Sequence, residues 1–345
     1  MPEVRIHRLI WTVIGTACAV AASNANAWQF AVSGDSRNCG DVVMPAIAKD
    51  ALKQGIHFYW HLGDFRAYYK IDEDLAHDPK YQKITELKDY RALAWKDFIE
   101  NQVVPFNPVP VFLAIGNHEL VDRTREDYIS TFHQWLGSES GSSTAQTYYH
   151  WVEQGVDFIT LDNASHEQFD AAQMTWFEKR MAQDEADPKI KTIVVGMHEA
   201  LPDSISYGHS MSESGTPVAV DSGRRVYHQL LKARDHAHKK VYILASHSHF
   251  FMEGTFNTSY WKNNGGVLPG WIIGTAGAQR YPLPKDSAQA IQAETRVYGY
   301  LLATVSSDGA IRFDFRRTGK SDVPAAIVDR YGSKLVNFCF DQNVQ

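Results

Sequence analysis

Five predicted strands of this chain each end in side chains that can bind a metal ion. Open α/β sheets form their binding crevice outside the carboxyl ends of the strands, so these side chains are expected to meet in one place. Carboxylates, an amide oxygen and imidazoles together suit Mn²⁺, Fe or Zn²⁺ better than Ca²⁺ or Mg²⁺ alone. The residues, in chain order, are Asp35, Asp64, Asn117-His118, His198 and His247-Ser248-His249.

The apolar pattern predicts an α/β core to which antiparallel strands are added. Short apolar runs alternate with segments of helical spacing, and hairpins follow, with Asp308-Gly309 as one of the turns. Residues 201–223 are rich in Ser, Gly and Pro, and we predict a long loop there, of the kind that often covers a binding site. Helical spacing is found in residues 42–54, 81–101, 168–183 and 223–237.

The composition is that of a globular protein with no obvious polyanion-binding surface. The chain has 345 residues, of which 44% are hydrophobic and 21% charged, and a chain of this length can bury a large core. The net charge is −6, and no run of Lys and Arg is long enough to grip nucleic acid. We therefore expect a small-molecule substrate and no nucleic-acid partner.

The N-terminus has the pattern of a secretory signal peptide. Basic residues precede an apolar run over residues 9–22, and the small residues of Ala25-Asn26-Ala27 are typical of a cleavage site. The run is shorter than the roughly 20 residues that span a bilayer, which disfavours a membrane anchor. We predict that residues 1–27 are removed and that the mature chain, without a membrane span, begins at Trp28 and is periplasmic or secreted.

Removal of the signal peptide leaves two cysteines, Cys39 and Cys339. In an oxidising compartment such a pair either forms a disulfide or remains as two separate thiols, and disulfide geometry is too specific for the sequence to decide. We predict that Cys39 and Cys339 pair.

The ordered motifs resemble the signature of the calcineurin-like metallophosphoesterases. The resemblance rests on Gly63-Asp64, Gly116-Asn117-His118-Glu119, His198 and Ser246-His247-Ser248-His249, each placed after a predicted strand. It implies a two-sheet β-sandwich flanked by helices, in four layers of α/β/β/α type. It also implies a phosphatase or phosphodiesterase that hydrolyses a phosphoester with metal-activated water.

The resemblance spans roughly residues 28–318. We therefore expect one metallophosphoesterase domain over residues 28–320 and a C-terminal tail, residues 321–345, packed on that domain.

The family's roles can be carried over residue by residue. The resemblance implies two divalent or trivalent ions, with Asp64 bridging them and His118 contacting the phosphate and protonating the leaving oxygen. An imidazole suits that task near neutral pH. The implied ligands of the first ion are Asp35 and His249, and those of the second are Asn117, His198 and His247.

The first motif departs from the family pattern. The family usually has His two residues after the first Asp, where this chain has Arg37, and a guanidinium cannot bind a cation. The site could then hold its first ion through the remaining ligands and water, or hold only one ion. We predict that Arg37 binds the substrate phosphate, for which its fork is well shaped, and a surface ion pair is the alternative. The same two possibilities apply to Arg66.

A second departure concerns the support of the catalytic histidine. The family often has a carboxylate three residues after the bridging Asp, and this chain has Ala67 there. Another group must therefore orient His118.

Two other functions are compatible with parts of the sequence. A binding protein that kept the fold and lost catalysis would explain Arg37. Gly34-Asp35-Ser36 also resembles the nucleophile block of GDSL-type serine esterases, with Asp235-His236-Ala237-His238 as a possible Asp-x-x-His block. That block lies too early in the chain, and the esterase would leave the histidines after the later strands unexplained.

Overall fold

Two β-sheets stacked face to face carry the candidate site, in a computed structural model that describes residues 27–137, 145–164, 168–213 and 216–345. The predicted signal peptide, residues 1–27, lies almost wholly outside the described residues. The strands are β1 (Trp28–Ser33), β2 (Tyr59–His61), β3 (Val111–Leu113), β4 (Tyr149–Glu153), β5 (Val156–Thr160), β6 (Thr192–Gly196), β7 (Lys240–Ala245), β8 (Phe251–Glu253), β9 (Gly270–Ile273), β10 (Gln292–Glu294), β11 (Tyr298–Val305) and β12 (Ile311–Thr318).

Helices connect most of the parallel strands and cover the outer faces of the sheets. They are α1 (Gly40–Gln54), α2 (Glu73–His77), α3 (Leu87–Phe98), α4 (Arg125–Phe132), α5 (Ala171–Ala186), α6 (Pro217–Asp235), α7 (Ser259–Asn263) and α8 (Ala325–Asn337).

Both sheets are mixed, and each contains a parallel centre. The first has the order β12-β11-β1-β2-β3, in which β1, β2 and β3 are parallel. The second has the order β10-β8-β9-β7-β6-β5-β4, in which β5, β6, β7 and β9 are parallel. Parallel strands place their carboxyl ends at the same edge, so the segments that follow β1, β2, β3, β6 and β7 are brought together.

The core lies in three apolar layers. Aromatic side chains from both sheets fill the space between them, among them Phe30, Trp60, Phe158 and Trp271. The outer face of the first sheet packs against α1, α3, α4 and α8, and that of the second against α5, α6 and α7. The predicted fold, a two-sheet sandwich flanked by helices, is confirmed.

The predicted loop over residues 201–223 ends earlier than expected, because α6 already begins at Pro217. Proline is favoured at the first helical position, where its missing N–H costs no hydrogen bond. The small residues Ala219, Ser222 and Gly223 that weaken the apolar pattern face inward, and Gly223 lies against Pro202. The prediction was wrong here because the first two turns of α6 pack through small residues, which give that part of the helix little hydrophobic contrast.

The C-terminal segment is folded and tied to the loop after β1. Helix α8 packs Tyr331 and Leu335 into the core beside α1. The predicted disulfide is confirmed: Cys39 and Cys339 are bonded, with their Cα atoms 5.9 Å apart.

Arg280 provides a second attachment for the C-terminal residues. Its guanidinium donates to the carbonyl oxygens of Cys339 at 3.0 Å, Phe340 at 2.9 Å and Asn343 at 3.1 Å. The last residues therefore hold the loop after β9, in which Arg280 lies.

Arg66 is the centre of a buried charge cluster and is not at a solvent-facing site. It is fully buried and contacts the carboxylates of Asp41, Asp74 and Asp97. Burial and the neighbouring Asp41 raise the pKa of Asp97 to about 7, since one guanidinium cannot balance all of these carboxylates. Arg66 forms ion pairs, but they are buried, so the prediction of a surface ion pair was wrong about the exposure of this side chain.

None of the helices in the described residues is long and apolar enough to cross a membrane.

The disulfide is expected to stabilise the fold. Replacing both cysteines, Cys39→Ser with Cys339→Ser, should lower the free energy of unfolding by about 2–5 kcal/mol, because the bond closes a long loop in the unfolded chain. Denaturant unfolding measures the difference. Reductant should destabilise the wild type and leave the double variant unchanged; equal stability of the two oxidised proteins would contradict the prediction.

Candidate metal centre

The segments that follow β1, β2, β3, β6 and β7 converge at the carboxyl edge of the two sheets. The structure brings every residue of the sequence-derived site into one network of contacts. These residues are Asp35, Arg37, Asp64, Asn117, His118, His198, His247 and His249.

Three of these residues have a backbone conformation that L-residues rarely adopt. The φ angles are 58° at Asp35, 60° at Asp64 and 62° at His247, all in the left-handed region. Such strain is stabilised only by surrounding structure and is concentrated at functional sites. Each of these residues turns the chain sharply after a strand and directs its side chain toward the common centre.

Two glycines allow the loops to approach each other closely. A Cβ at Gly63, whose φ is 93°, would lie 2.6 Å from the amide nitrogen of Gly116 and 2.9 Å from Nδ1 of His198. A Cβ at Gly116 would lie 2.4 Å from Oδ1 of Asp64. Glycine is therefore required at both positions, and this explains their place in the motifs.

Three atoms of the kind that bind metal ions lie close together, one each from His198, Asn117 and His247. His198 Nδ1 lies 2.8 Å from the carbonyl oxygen of Leu62, so Nδ1 carries the proton and Nε2 of the neutral ring is a lone pair. That Nε2 lies 3.0 Å from Oδ1 of Asn117 and 3.0 Å from Nδ1 of His247. Oδ1 of Asn117 thus faces the lone pair of neutral His198, and a proton or a metal ion between the two atoms would satisfy both.

The charge of the nearby carboxylates supplies a strong field for such a cation. Burial alone would lower the pKa of His198, but Asp64 and Asp35 outweigh it and raise the pKa to about 10. A proton on Nε2 of His198 thus satisfies the ion-free site, and a metal ion would have to displace it.

The donor set at this position fits a metal ion. Asp64 Oδ1 lies 3.4 Å from Nε2 of His198, and the ligand atoms of Asp64, His198 and His247 lie within 4.8 Å of one another. Asp64 Oδ2 is buried without a hydrogen bond, which is costly for a carboxylate oxygen unless a cation is close. Asp64, Asn117, His198 and His247 can therefore hold the ion that the sequence assigns to the second position.

The position of the other ion has a different arrangement. His249 Nδ1 lies 2.6 Å from the carbonyl oxygen of Gln279 and carries the proton, which leaves Nε2 as a lone pair. Arg37 Nη2 lies 3.1 Å from that Nε2 and donates to it. Burial lowers the pKa of His249, consistent with a neutral ring.

The guanidinium of Arg37 is held between the would-be ligands of this position. Its Nε lies 3.7 Å from Oδ2 of Asp64, and its Nη1 donates to the hydroxyl of Tyr69 at 3.1 Å. Arg37 is only 6% exposed. The residues present therefore do not fit an ion at the first position, because a guanidinium that cannot lose its proton lies among them.

Asp35 also has a role in positioning. Its Oδ2 accepts hydrogen bonds from the backbone N–H of His247, at 2.6 Å, and from the hydroxyl of Ser246. Its Oδ1 lies 3.1 Å from Nε2 of His249. Asp35 thereby holds the loop after β7 in the conformation that aims His247 at the centre.

His118 is oriented by the backbone. Its Nδ1 donates to the carbonyl oxygen of Ala67 at 2.6 Å, and its Nε2 faces the site, 3.6 Å from Oδ2 of Asp64. The residue that replaces the family's usual carboxylate thus supports His118 through its main chain.

Glu119 is a positioning residue to which the sequence analysis gave no role. It is fully buried, and its carboxylate accepts from the backbone N–H groups of Asp64, Phe65 and Gly116, each at 2.8 Å. It thus joins the loops after β2 and β3. The sequence signal for this role was the position of Glu119 in the same motif as His118.

Aromatic residues from distant loops complete the site. Tyr281 stacks on His249 with ring centroids 4.0 Å apart, and its hydroxyl lies 3.5 Å from Nη2 of Arg37. His209, on the loop before α6, lies 5.4 Å from the Tyr281 ring and 5.5 Å from the His247 ring. A cavity of about 230 Å³ opens beside this pair, and Phe250 and Leu283 contribute to its apolar lining.

A scan against models of known protein families found no match, and a comparison with curated proteins found none either. Solved structures do match. A purple acid phosphatase from yellow lupin (Lupinus luteus) seeds superposes with a TM-score of 0.57 at 15% identity, over 86% of this chain and 52% of the lupin chain. PhoD superposes with a TM-score of 0.57 at 13% identity, over 85% of this chain and 72% of its own.

A dimetal phosphatase from Danio rerio superposes with a TM-score of 0.51 at 12% identity, over 85% of this chain and 96% of the fish protein. The chain has the calcineurin-like metallophosphoesterase fold. It spans about half the length of the lupin protein, and at these identities the likeness establishes the metallophosphoesterase fold alone.

The buried carboxylate of Glu119 is expected to be essential for ordering the site. Glu119→Ala leaves three buried backbone N–H groups without an acceptor, and one such group costs about 1–3 kcal/mol. We expect a lower free energy of unfolding and weaker metal binding, measured by denaturant unfolding and by metal titration. The exposed Glu126, changed to Ala, is the matched control, and identical metal affinity in the two variants would contradict the role of Glu119.

Proposed function

We propose that this protein hydrolyses phosphoester bonds with the help of bound metal, as a phosphatase or a phosphodiesterase. The observation that carries the proposal is the convergence of His198 Nε2, Asn117 Oδ1 and His247 Nδ1 beside the buried Asp64. Lone pairs arranged in this way suit a cation with mixed oxygen and nitrogen ligands, such as Mn²⁺, Fe or Zn²⁺.

Asp64, Asn117, His198 and His247 would hold the ion. A bound metal ion supplies positive charge for the phosphoryl oxygens and makes water a better nucleophile near neutral pH. The second-sphere contacts support these ligands: Leu62 fixes the His198 tautomer, and Asp35 holds the backbone of His247.

His118 would donate a proton to the leaving oxygen. The carbonyl of Ala67 fixes its Nδ1–H, so the Nε2 side of the ring is the one presented to a substrate. Burial lowers the pKa of His118 in the free protein. A bound phosphate next to the ring would favour the protonated form and so oppose that effect.

Arg37 would contribute the second positive charge to phosphate binding. Its Nη1 donates to Tyr69, whose side chain is largely exposed at the edge of the site. A phosphate placed between the metal position and Arg37 would therefore have a cation on each side.

The serine esterase alternative has weaker support from the same geometry. Ser36 is buried, and its hydroxyl lies 2.9 Å from Nε2 of His61. His61 Nδ1 accepts the backbone N–H of Gly63 at 3.2 Å, so the proton is on Nε2, which donates to Ser36 and cannot take its proton. Burial also lowers the pKa of His61 to about 3. Asp235 and His238, the Asp and His of the possible partner block, are exposed at and just after the end of α6.

The alternative of a binding protein without catalysis shares the fold and differs in turnover alone. His118 distinguishes the enzyme from the binding protein, because it lies at the site but is not one of the residues proposed to hold the ion. A measured turnover that depends on His118 supports the enzyme.

We also propose that the protein is exported, with residues 1–27 removed, residues 28–320 forming the metallophosphoesterase domain and residues 321–345 its tail. The sequence pattern of the first 27 residues supports this, and the Cys39–Cys339 bond suits an oxidising compartment. Mass spectrometry of the exported chain tests it.

The proposed function predicts metal-dependent turnover. Metal-loaded protein should hydrolyse a chromogenic phosphomonoester or phosphodiester, and His198→Ala should lose both bound metal and hydrolysis, because it removes a ligand. The exposed His236, changed to Ala, is the control and should keep both. Full activity and full metal content in His198→Ala would overturn the assignment.

The proton-donor role predicts a dependence on the leaving group. His118→Asn should bind metal normally and lower kcat by roughly 10²–10⁴-fold for a substrate with a poor leaving group, the usual weight of general acid catalysis. The loss should be smaller when the leaving group needs little protonation. Equal losses across a series of leaving groups would exclude this role.

A further inference from the structure

We infer that the guanidinium of Arg37 permanently takes the place of the first metal ion, so that the centre binds one ion per chain beside a fixed side-chain cation. The inference rests on the proposed function and departs from the two-ion arrangement that the family resemblance implies. It concerns the ligands of the first position, of which His249 and Asp64 lie next to the guanidinium and Asp35 is hydrogen-bonded to the loop after β7.

The lone pair of His249 is already used. The contact of its Nδ1 with the carbonyl oxygen of Gln279, at 2.6 Å, requires a proton on Nδ1. The remaining lone pair on Nε2 accepts from Arg37 Nη2 at 3.1 Å, and Oδ1 of Asp35 lies 3.1 Å from the same nitrogen. The imidazole thus interacts with the guanidinium through the atom that would otherwise bind the ion.

The carboxylates of this position are likewise engaged. Asp35 Oδ2 accepts from the backbone N–H of His247 and from Ser246, and both contacts are needed to hold the loop after β7. Asp64 Oδ2, the oxygen that would bridge two ions, has the Nε of Arg37 3.7 Å away. The positive charge of Arg37 thus lies beside the oxygen that a first ion would bind, without a hydrogen bond between Nε and Oδ2.

Arg37 is held in this position from the side of the solvent as well. The hydroxyl of Tyr69 accepts from Nη1 at 3.1 Å, and that of Tyr281 lies 3.5 Å from Nη2. The Tyr281 ring also stacks on His249 at 4.0 Å, so the guanidinium and the imidazole are confined by the same residue. With a side-chain exposure of 7%, Arg37 has little room to move aside for an ion.

A metal ion at the first position would lie beside a charge that cannot be removed. Guanidinium remains protonated at every pH at which the protein is folded, and it has no lone pair to offer. Because the site is buried, repulsion between the two cations is weakly screened. At the second position, the ligand atoms of Asn117, His198 and His247 face one another at 3.0 Å.

The stoichiometry of bound metal tests the inference. The full mature chain is saturated with Mn²⁺, freed of unbound metal and analysed for its Mn content. We expect about one Mn²⁺ per chain for the wild type and about two for Arg37→His. The change to His restores the family's ligand and removes the positive charge. A second ion could then bind about 3.5–4 Å from the first, as in two-metal sites.

The controls separate charge from ligation. Arg37→Lys keeps the positive charge and should stay at about one ion per chain. Tyr281→Phe removes the hydroxyl contact without altering a ligand, and it should also stay at about one. Electron paramagnetic resonance of the Mn²⁺-loaded proteins adds an independent readout: an isolated ion in the wild type, and spin-coupled ions in Arg37→His.

The outcomes distinguish the inference from the function on which it rests. About two Mn²⁺ per wild-type chain with a spin-coupled signal would overturn the replacement of the ion by Arg37 and leave the proposed hydrolase intact. A wild type that binds no metal would overturn the proposed hydrolase itself. If Arg37→His does not fold, the wild-type content and spectrum still decide.

Discussion

The buried carboxylate of Asp64 is the charge around which the rest of the site is arranged. Burying an ionised carboxylate is costly unless positive charge and hydrogen bonds compensate it. Here the backbone at Asp64 is fixed by Glu119, and the cationic or proton-bearing groups of Arg37, His118 and His198 all lie within 3.7 Å of its oxygens. Asp35 adds a second negative charge. If Arg37 is the only cation, one of the two negative charges is left without compensation. A proton on His198 or a metal ion supplies the missing positive charge, and the two compete for the same lone pair.

The arrangement of the strands and their terminal motifs could be predicted because it depends on local patterns. A strand that alternates with helices must lie in an α/β sheet, and the side chains at its carboxyl end must reach the crevice. For this reason the sequence was sufficient to predict that Asp35, Asp64 and His198 lie at one edge of the sheets. The close approach of Gly63 to Gly116 was not predicted, although glycine in both motifs is compatible with it.

The contacts of Arg37 could not be predicted, because they come from parts of the chain that are far apart in sequence. Tyr69 follows β2, whereas Tyr281 comes from the loop after β9. No periodic pattern links such loops, and only their packing shows that they meet at one guanidinium. The support of His118 was missed for a related reason. It comes from the backbone carbonyl of Ala67, and every residue has such a carbonyl, so the residue type does not reveal it.

The double attachment of the C-terminal segment has a consequence for how the protein is made. Ribosomes deliver the loop of Asp35 and Cys39 long before Cys339 exists, since 300 residues separate the two cysteines. The loop with Gln279 and Arg280 likewise gains its last hydrogen bonds only from residues near the end of the chain. A nascent chain that has not reached residue 339 therefore carries Asp35 on a loop without its disulfide, and that attachment forms only once Cys339 has been made and an oxidant is present.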